Sequence, residues 1–491
     1  MSEPISTDDL TALLGRWAAG RGPLYRLLAT RLRGLMDEGT LPPGTGLPAE
    51  RRLAARLSVG RGTIVAAYDL LGEERRLVRR RGSGTRVAPG PDPAPALTPE
   101  PARPTHDGSP FLSMFEPVAG TLTLTCAAPD APPPELRAAY QEAVARVDVL
   151  ANDIGYHPAG LLELRTVLAE RFTERGLPTS PDEVLVTNGA QQALDLLVRC
   201  HVSAGDTVLV ERPTYPGALA LFGEAAADVR GVDAGPEGMD VPALLEGMAG
   251  RPALTYLVPS FHNPTGSVVS PLDRRRIAAA AGEHGRVVVD DETMVHLGFD
   301  GGVPTPLAAF PGGEDVVTVG SMSKLVWGGL RIGWIRARRP VLERLRRTKI
   351  LTDLGGDVLS QLAAARLLRD LAPLSRRRGE ELRSGHDRLT AELRRRLPDW
   401  EFTPARGGQT LWIRLPHGDS ASFAQVALRH GVALLPGDSL CAGGGGSARL
   451  RLPFLAEPDT LTTAVDRIAR AWEHYRPAEG PTARPPAALA V

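Results

Sequence analysis

The sequence predicts an α/β protein in two unequal parts: a small helical module closed by a β-hairpin, and a large doubly wound, mostly parallel sheet. Three observations carry that expectation. Charge is segregated, because the 491 residues are neutral overall while residues 21–90 hold 14 Arg against six Asp and Glu, a net +8 that the remainder cancels. Residues 88–110, APGPDPAPALTPEPARPTHDGSP, place 8 prolines in 23 positions, which neither a helix interior nor a sheet ladder tolerates. From residue 111 onward, apolar β-rich runs alternate with helical stretches, the order of a βαβ chain.

In the module, residues 24–38, LYRLLATRLRGLMDE, carry apolar residues at 24, 27, 28, 32, 35 and 36, one helical face. Residues 48–57 give a short second helix, 58–60 a turn, and RGTIVAAYDLLGEE at 61–74 a third helix whose apolar face includes Ile64, Val65, Tyr68 and Leu71. LVRRRGSGTRV at 77–87 is a tight hairpin centred on Gly82–Gly84. This order makes residues 1–88 a winged helix-turn-helix, whose third helix can enter the major groove of double-stranded DNA while the wing lies along the backbone. A basic module on an acidic body points to a polyanion partner for the module alone. Residues 89–110 are the linker; at about 3.1 Å per residue it reaches up to ~70 Å, enough to dock the module on its own or on a partner subunit.

Composition narrows the class. With 43% hydrophobic and 23% charged residues and no apolar run of membrane length, a membrane protein is excluded. The start MSEPISTDDLTALLGRW has no basic region followed by an apolar stretch, so a cytoplasmic location is expected. Cys126, Cys200 and Cys441 are isolated, suit neither a disulfide framework nor a metal knuckle, and read as buried thiols; no metal site is expected. Of 57 basic residues only Lys324 and Lys349 are lysine, and a lysine that survives such a drift toward arginine calls for a role that needs an amine.

In the large part, VLVT, TVLVE, LTYLV, RVVVD and VVTVG read as strands and LLELRTVLAERF as a helix. In VVTVGSMSKLVWGGLRIGWI a strand ending at Gly320 delivers Ser321, Ser323 and Lys324 into a loop, with Arg331 opening the next strand. Lysine forms a Schiff base and arginine does not, so an aldehyde cofactor accounts for Lys324. Lys349, in RRTKIL, lacks such a frame and is read as structural. A pyridoxal-type cofactor also needs a carboxylate for its ring nitrogen, a donor for its ring oxygen, a flat partner and an anion site. Asp291, at the mouth of RVVVDDETMVHL, supplies the first, Asn263 of SFHNPTG the second and Tyr215 of ERPTYPG the third. Gly189, Ala190 and Gln191, in the strand–turn–helix VLVTNGAQQALDLL, offer backbone N–H groups to an anion. The GGGG at 443–446 is read as a turn.

The pattern LPAERRLAARLSVGRGTIVAAYDLL with the wing RRGSGTRV resembles the GntR-type winged helix, and the later motifs resemble the fold-type I aminotransferases over residues 120–475. In this order they resemble the MocR-type regulators. The first resemblance implies DNA contacts by Arg51, Arg61 and Thr63 and by Arg80, Arg81 and Gly82 of the wing, with Ala49, Gly60 and Gly62 standing where hydroxyl residues are usual. The second implies an aminotransferase-like domain over 111–491 with a small C-terminal subdomain at about 345–475, and pyridoxal 5'-phosphate held as an internal aldimine at Lys324. It further implies a phosphate held by Gly189, Ala190, Gln191, Ser321, Ser323 and Arg331, with Tyr156 of YHPAG reaching in from the other subunit of a homodimer. Arg451 of ARLRLPF would grip the carboxylate of an amino-acid effector. Met294 departs from the pattern, in place of a tyrosine three residues after the aspartate. The function implied is a DNA-binding transcriptional regulator sensing an amine, an amino acid or the cofactor; the alternative is a working aminotransferase, and turnover stays open between them.

Overall fold

The structure is a computed structural model that describes residues 5–15, 17–18, 22–74, 76–80, 84–88, 111, 114, 120–150, 153–235 and 237–477. The chain divides into two units, Met1–Glu100 and Pro101–Val491. The Pro-rich run at 89–110 lies outside the described residues, as do Arg81 and Gly82.

The first unit holds α1 (Thr7–Leu14), α2 (Leu24–Asp37), α3 (Glu50–Leu57), α4 (Arg61–Glu73) and the antiparallel pair β1 (Leu77–Arg80) and β2 (Gly84–Val87). Helix α1 was not legible in the sequence. It starts because Ser6 Oγ accepts from Asp9 N at 3.0 Å, and it holds on because Leu10 and Leu14 join the core of Leu28, Leu32, Leu53, Ile64 and Leu71. Ser58 closes α3 in the left-handed region at φ 54°, turning the chain into α4. Both α3 and α4 begin without a side-chain cap, at Ala49 and Gly60, as the absence of hydroxyls there requires.

The second unit begins with β3 (Leu122–Thr123), α5 (Pro134–Ala145), α6 (Leu162–Glu174), β4 (Val184–Thr187), α7 (Gly189–His201), β5 (Thr207–Arg212) and α8 (Pro216–Glu224). There follow β6 (Asp228–Gly235), β7 (Gly238–Met239), α9 (Val241–Ala249), β8 (Leu254–Leu257), α10 (Pro271–His284), β9 (Val287–Asp291), β10 (Val316–Ser321) and β11 (Gly333–Arg336). The chain ends with α11 (Arg339–Asp353), α12 (Val358–Arg369), α13 (Leu371–Arg396), β12 (Glu401–Phe402), β13 (Thr410–Arg414), α14 (Ser420–Arg429), β14 (Val432–Ala433), β15 (Leu435–Pro436), β16 (Arg449–Pro453) and α15 (Pro458–His474). The main sheet runs β4-β11-β10-β9-β8-β5-β6-β7, parallel except for β11 and β7. Strands β4, β8 and β10 are buried at every residue because helices cover both faces, which is why they read as unbroken apolar runs. A second sheet, β12-β13-β16-β15, packs with α13, α14 and α15 toward the C-terminus. Strand β3 pairs in parallel with β14, so residues near 122 rejoin this C-terminal part, which the expected span of about 345–475 omits.

Two expectations need correction. Arg331 does not open a strand: it follows a short 3-10 turn in the left-handed region at φ 55°, and β11 begins at Gly333. Of the three thiols only Cys441 is buried; Cys126 and Cys200 are half-buried, Cys126 because the chain leaving β3 passes along a cavity wall. Among the described residues no helix is long and apolar enough to cross a membrane, and no His, Cys, Asp and Glu cluster could hold a metal ion.

Candidate functional site

A cavity of about 340 Å³ opens beyond the carboxyl ends of β5, β8, β9 and β10, where open α/β sheets bind ligands. Ala190, Gln191, Tyr215, Asn263, Asp291, Ser321, Ser323, Lys324 and Arg331 all line it, so segments read separately in the sequence converge. Lys324 Nζ donates to Ala127 O at 2.6 Å. Burial, with the charge of Arg451 adding to it, pushes Lys324 below the usual lysine range and so favours the neutral, nucleophilic amine.

Asp291 ends β9 buried, and burial pushes its carboxyl upward. Two donors oppose that: Tyr256 Oη donates to Oδ2 at 2.6 Å and Thr293 N to Oδ1 at 2.9 Å. Asn263 is buried and its Oδ1 has no partner. Tyr215, at the start of α8, donates to Gln191 Oε1 at 3.1 Å. The anion cradle is built at the start of α7, whose first N–H groups have no partner inside the helix. Gly189 stands at φ 78°, and a Cβ there would lie 2.8 Å from Arg331 Nη2, so only glycine lets that guanidinium close on Asn188 O. Ser321 Oγ donates to Ser323 Oγ at 3.0 Å beside it. A buried amide at Asn263, a lysine amine opening to the same cavity and a cradle that a Cβ would fill together fit pyridoxal phosphate.

Other expected residues lie elsewhere. Arg451 is buried on β16 and does not line the cavity; Nη2 donates to Thr125 O while Nε is unpartnered. Tyr156 is 61% exposed and also off the wall of its own cavity. In the first unit Arg51 and Arg61 are exposed, Thr63 is half-buried, and Arg80 ends β1. Sequence reading missed Tyr256, Thr293 and Cys126, all on the cavity wall, and Phe111, which meets Tyr215 edge-on at 6.0 Å. Met294, buried, lines the cavity too.

At the end of β5, Glu211 accepts from Val258 N at 2.6 Å and lies 3.5 Å from His262 Nε2. Burial pushes Glu211 up to about 8 and His262 down to about 3, leaving both neutral at pH 7. The folded value of Glu211 exceeds its unfolded one, so its contribution is full below the unfolded pKa of 4.5 and is lost as pH rises to about 8. Glu211→Gln keeps the acceptor without the titration. Urea unfolding should show this variant gaining on the wild type between pH 5 and 8, by up to ~4 kcal/mol, and levelling beyond. A constant difference across that range would mean Glu211 ionises freely.

Comparison with known proteins agrees with this geometry. The family described as "Aminotransferase class I and II" matches residues 127–468, and "Bacterial regulatory proteins, gntR family" matches residues 24–87. The HTH-type transcriptional regulator TauR of Rhodobacter capsulatus is 30% identical over 85% of this chain and 90% of its own. YisV of Bacillus subtilis, named an uncharacterized HTH-type transcriptional regulator, is 29% identical over 93% of this chain and 98% of its own. The solved structure of LysN, the alpha-aminoadipate aminotransferase of Thermus thermophilus complexed with N-(5'-phosphopyridoxyl)-L-leucine, superposes with a TM-score of 0.66 at 31% identity, covering 74% of this chain and 95% of that one. A helix-turn-helix unit of the gntR family, joined to a second unit with a half-buried, cavity-lining lysine in a pyridoxal-phosphate-dependent fold, places the chain among the MocR-type regulators, members of the class I and II aminotransferase family that carry a GntR-type winged helix.

Proposed function

We propose that this regulator binds DNA through residues 1–88 and senses an amine, an amino acid or the cofactor itself through pyridoxal 5'-phosphate held at Lys324. The observation that carries the reading is the convergence of Lys324, Asp291 and Asn263 on one cavity in a chain that also bears a winged helix. Bound there, pyridoxal phosphate supplies an aldehyde that condenses with amines and a ring that withdraws electrons. Lys324 offers the amine, its basicity lowered by burial. Asp291, oriented by Tyr256 and Thr293, presents a carboxylate oxygen to the ring nitrogen, and Asn263 serves the ring oxygen. The first turn of α7 with Ser321, Ser323 and Arg331 holds the phosphate. Arg451, buried beside Thr125 and off the cavity wall, would have to swing away from Thr125 O to meet an effector carboxylate.

Met294 gives the ring oxygen no hydrogen bond where a tyrosine would, so proton transfers of a full transamination cycle lose support while ligand capture does not. That weighs for a sensor over a working aminotransferase. A homodimer accounts for the exposed set Tyr156, Ile154 at 82% and Leu351 at 87%, with Tyr156 entering the partner subunit's cavity.

The test is a gel shift of the DNA upstream of the protein's own gene with cofactor-loaded full chain, run against a panel of amines and amino acids beside the visible spectrum. One ligand class should change both readouts. Rapid multiple-turnover transamination without preference for that DNA would establish the enzyme reading instead.

A further inference from the structure

The second lysine of the chain is not a stray. Lys349, on α11, is 1% exposed, and burying an ammonium is costly unless it is paired. Its Nζ donates to Asp353 Oδ1 at 2.7 Å, one helical turn on. That oxygen also accepts Gly355 N at 3.0 Å, while Oδ2 accepts Asn188 Nδ2 at 3.1 Å and Gln192 Nε2 at 2.8 Å. Four donors converge on one carboxylate, two of them from the turn that begins α7. Asn188 does not cap α7 with its own side chain; its N–H donates to Gln192 Oε1 at 2.8 Å and its carbonyl accepts from Arg331. The cradle residues Gly189, Ala190 and Gln191 are therefore bracketed by two amides, both tied to Asp353.

We propose that Lys349 and Asp353 form a positioning pair for the phosphate site: Asp353 fixes the turn at 188–192, and Lys349 cancels the charge that Asp353 would otherwise bring to it. Both statements rest on the reading that this turn takes the cofactor phosphate. The charge argument is direct. A helix N-terminus attracts one anion, and an uncompensated carboxylate beside it competes with a phosphate for the same field. With Lys349 in place the bracket is neutral and the phosphate meets only the N–H groups, the serines and Arg331.

The test compares dissociation constants of pyridoxal phosphate and of pyridoxal, which lacks the phosphate, for stripped full-length protein. Wild type should prefer the phosphorylated form. Lys349→Met should lower that preference at least about tenfold, through weaker pyridoxal phosphate binding with pyridoxal nearly unchanged. Asp353→Asn, which can keep an oxygen for Asn188 and Gln192 and so hold the turn while leaving the lysine charge uncancelled, should raise the preference, and the double variant, with the same oxygen and neither charge, should recover most of the loss. Opposite signs for the two single variants are a signature that mere structural damage does not give, because damage weakens both ligands alike. Equal losses for both ligands, or no recovery in a double variant that folds, would overturn the proposal. A wild type that binds pyridoxal as tightly as its phosphate would instead overturn the phosphate-site reading itself.

Discussion

Borohydride reduction of the full chain saturated with pyridoxal phosphate should fix one pyridoxyl group per chain, on the peptide carrying Lys324, and Lys324→Ala should abolish that label. Only two lysines compete, and their surroundings differ in kind. Lys324 opens to the cavity and is held by a single bond to a carbonyl, with burial favouring its neutral form. Lys349 is buried in an ion pair with Asp353 and does not line the cavity. The variant should also bind pyridoxal phosphate at least about a hundredfold more weakly, or roughly 2.7 kcal/mol, since only the noncovalent contacts remain. Label on Lys349, or an unlabelled protein that retains the cofactor, would refute the assignment of the amine.

How far the site could be read in advance followed from how local each signal is. Asp291, Asn263, Lys324 and the Gly189 turn were legible because each sits where an apolar strand stops and a polar turn begins, and such boundaries are written in consecutive residues. Tyr256 was not, since it lies inside the apolar run LTYL and its hydroxyl acquires meaning only through the parallel pairing of β8 with β9, which brings it to Asp291. The Lys349–Asp353 pair has readable helical spacing, but its partners Asn188 and Gln192 lie some 160 residues away in sequence, a distance only the fold closes. Arg331 was found as a residue and misplaced as an element, because β11 looks continuous with it while Gly189 and Arg331 must meet closely. Helix α1 escaped because its eight residues show only two buried leucines, too few for a periodic pattern.

In the first unit, Arg61→Ala should weaken binding to the upstream DNA by about 1–3 kcal/mol, roughly five- to 150-fold, and flatten the preference over random sequence. Arg61 is the first residue of α4, the helix that follows the tight turn at Ser58, and it is exposed. Its contact with Glu50 is 3.4 Å long at an exposed site, where such a pair is worth at most about 1 kcal/mol, so releasing the guanidinium to a base edge costs little. Arg80 ends β1 in the hairpin, the wing proposed to lie along the DNA backbone, and Arg80→Ala should act differently. It should lower affinity for specific and random DNA alike and reduce the slope of log affinity against log salt by about 0.9, the loss of one neutralised phosphate. Gel shifts of both variants at two salt concentrations separate these outcomes. Should Arg61→Ala keep its preference while Arg80→Ala loses it, the wing reads the sequence and α4 only anchors the backbone, the reverse of the assignment made from residues 47–87.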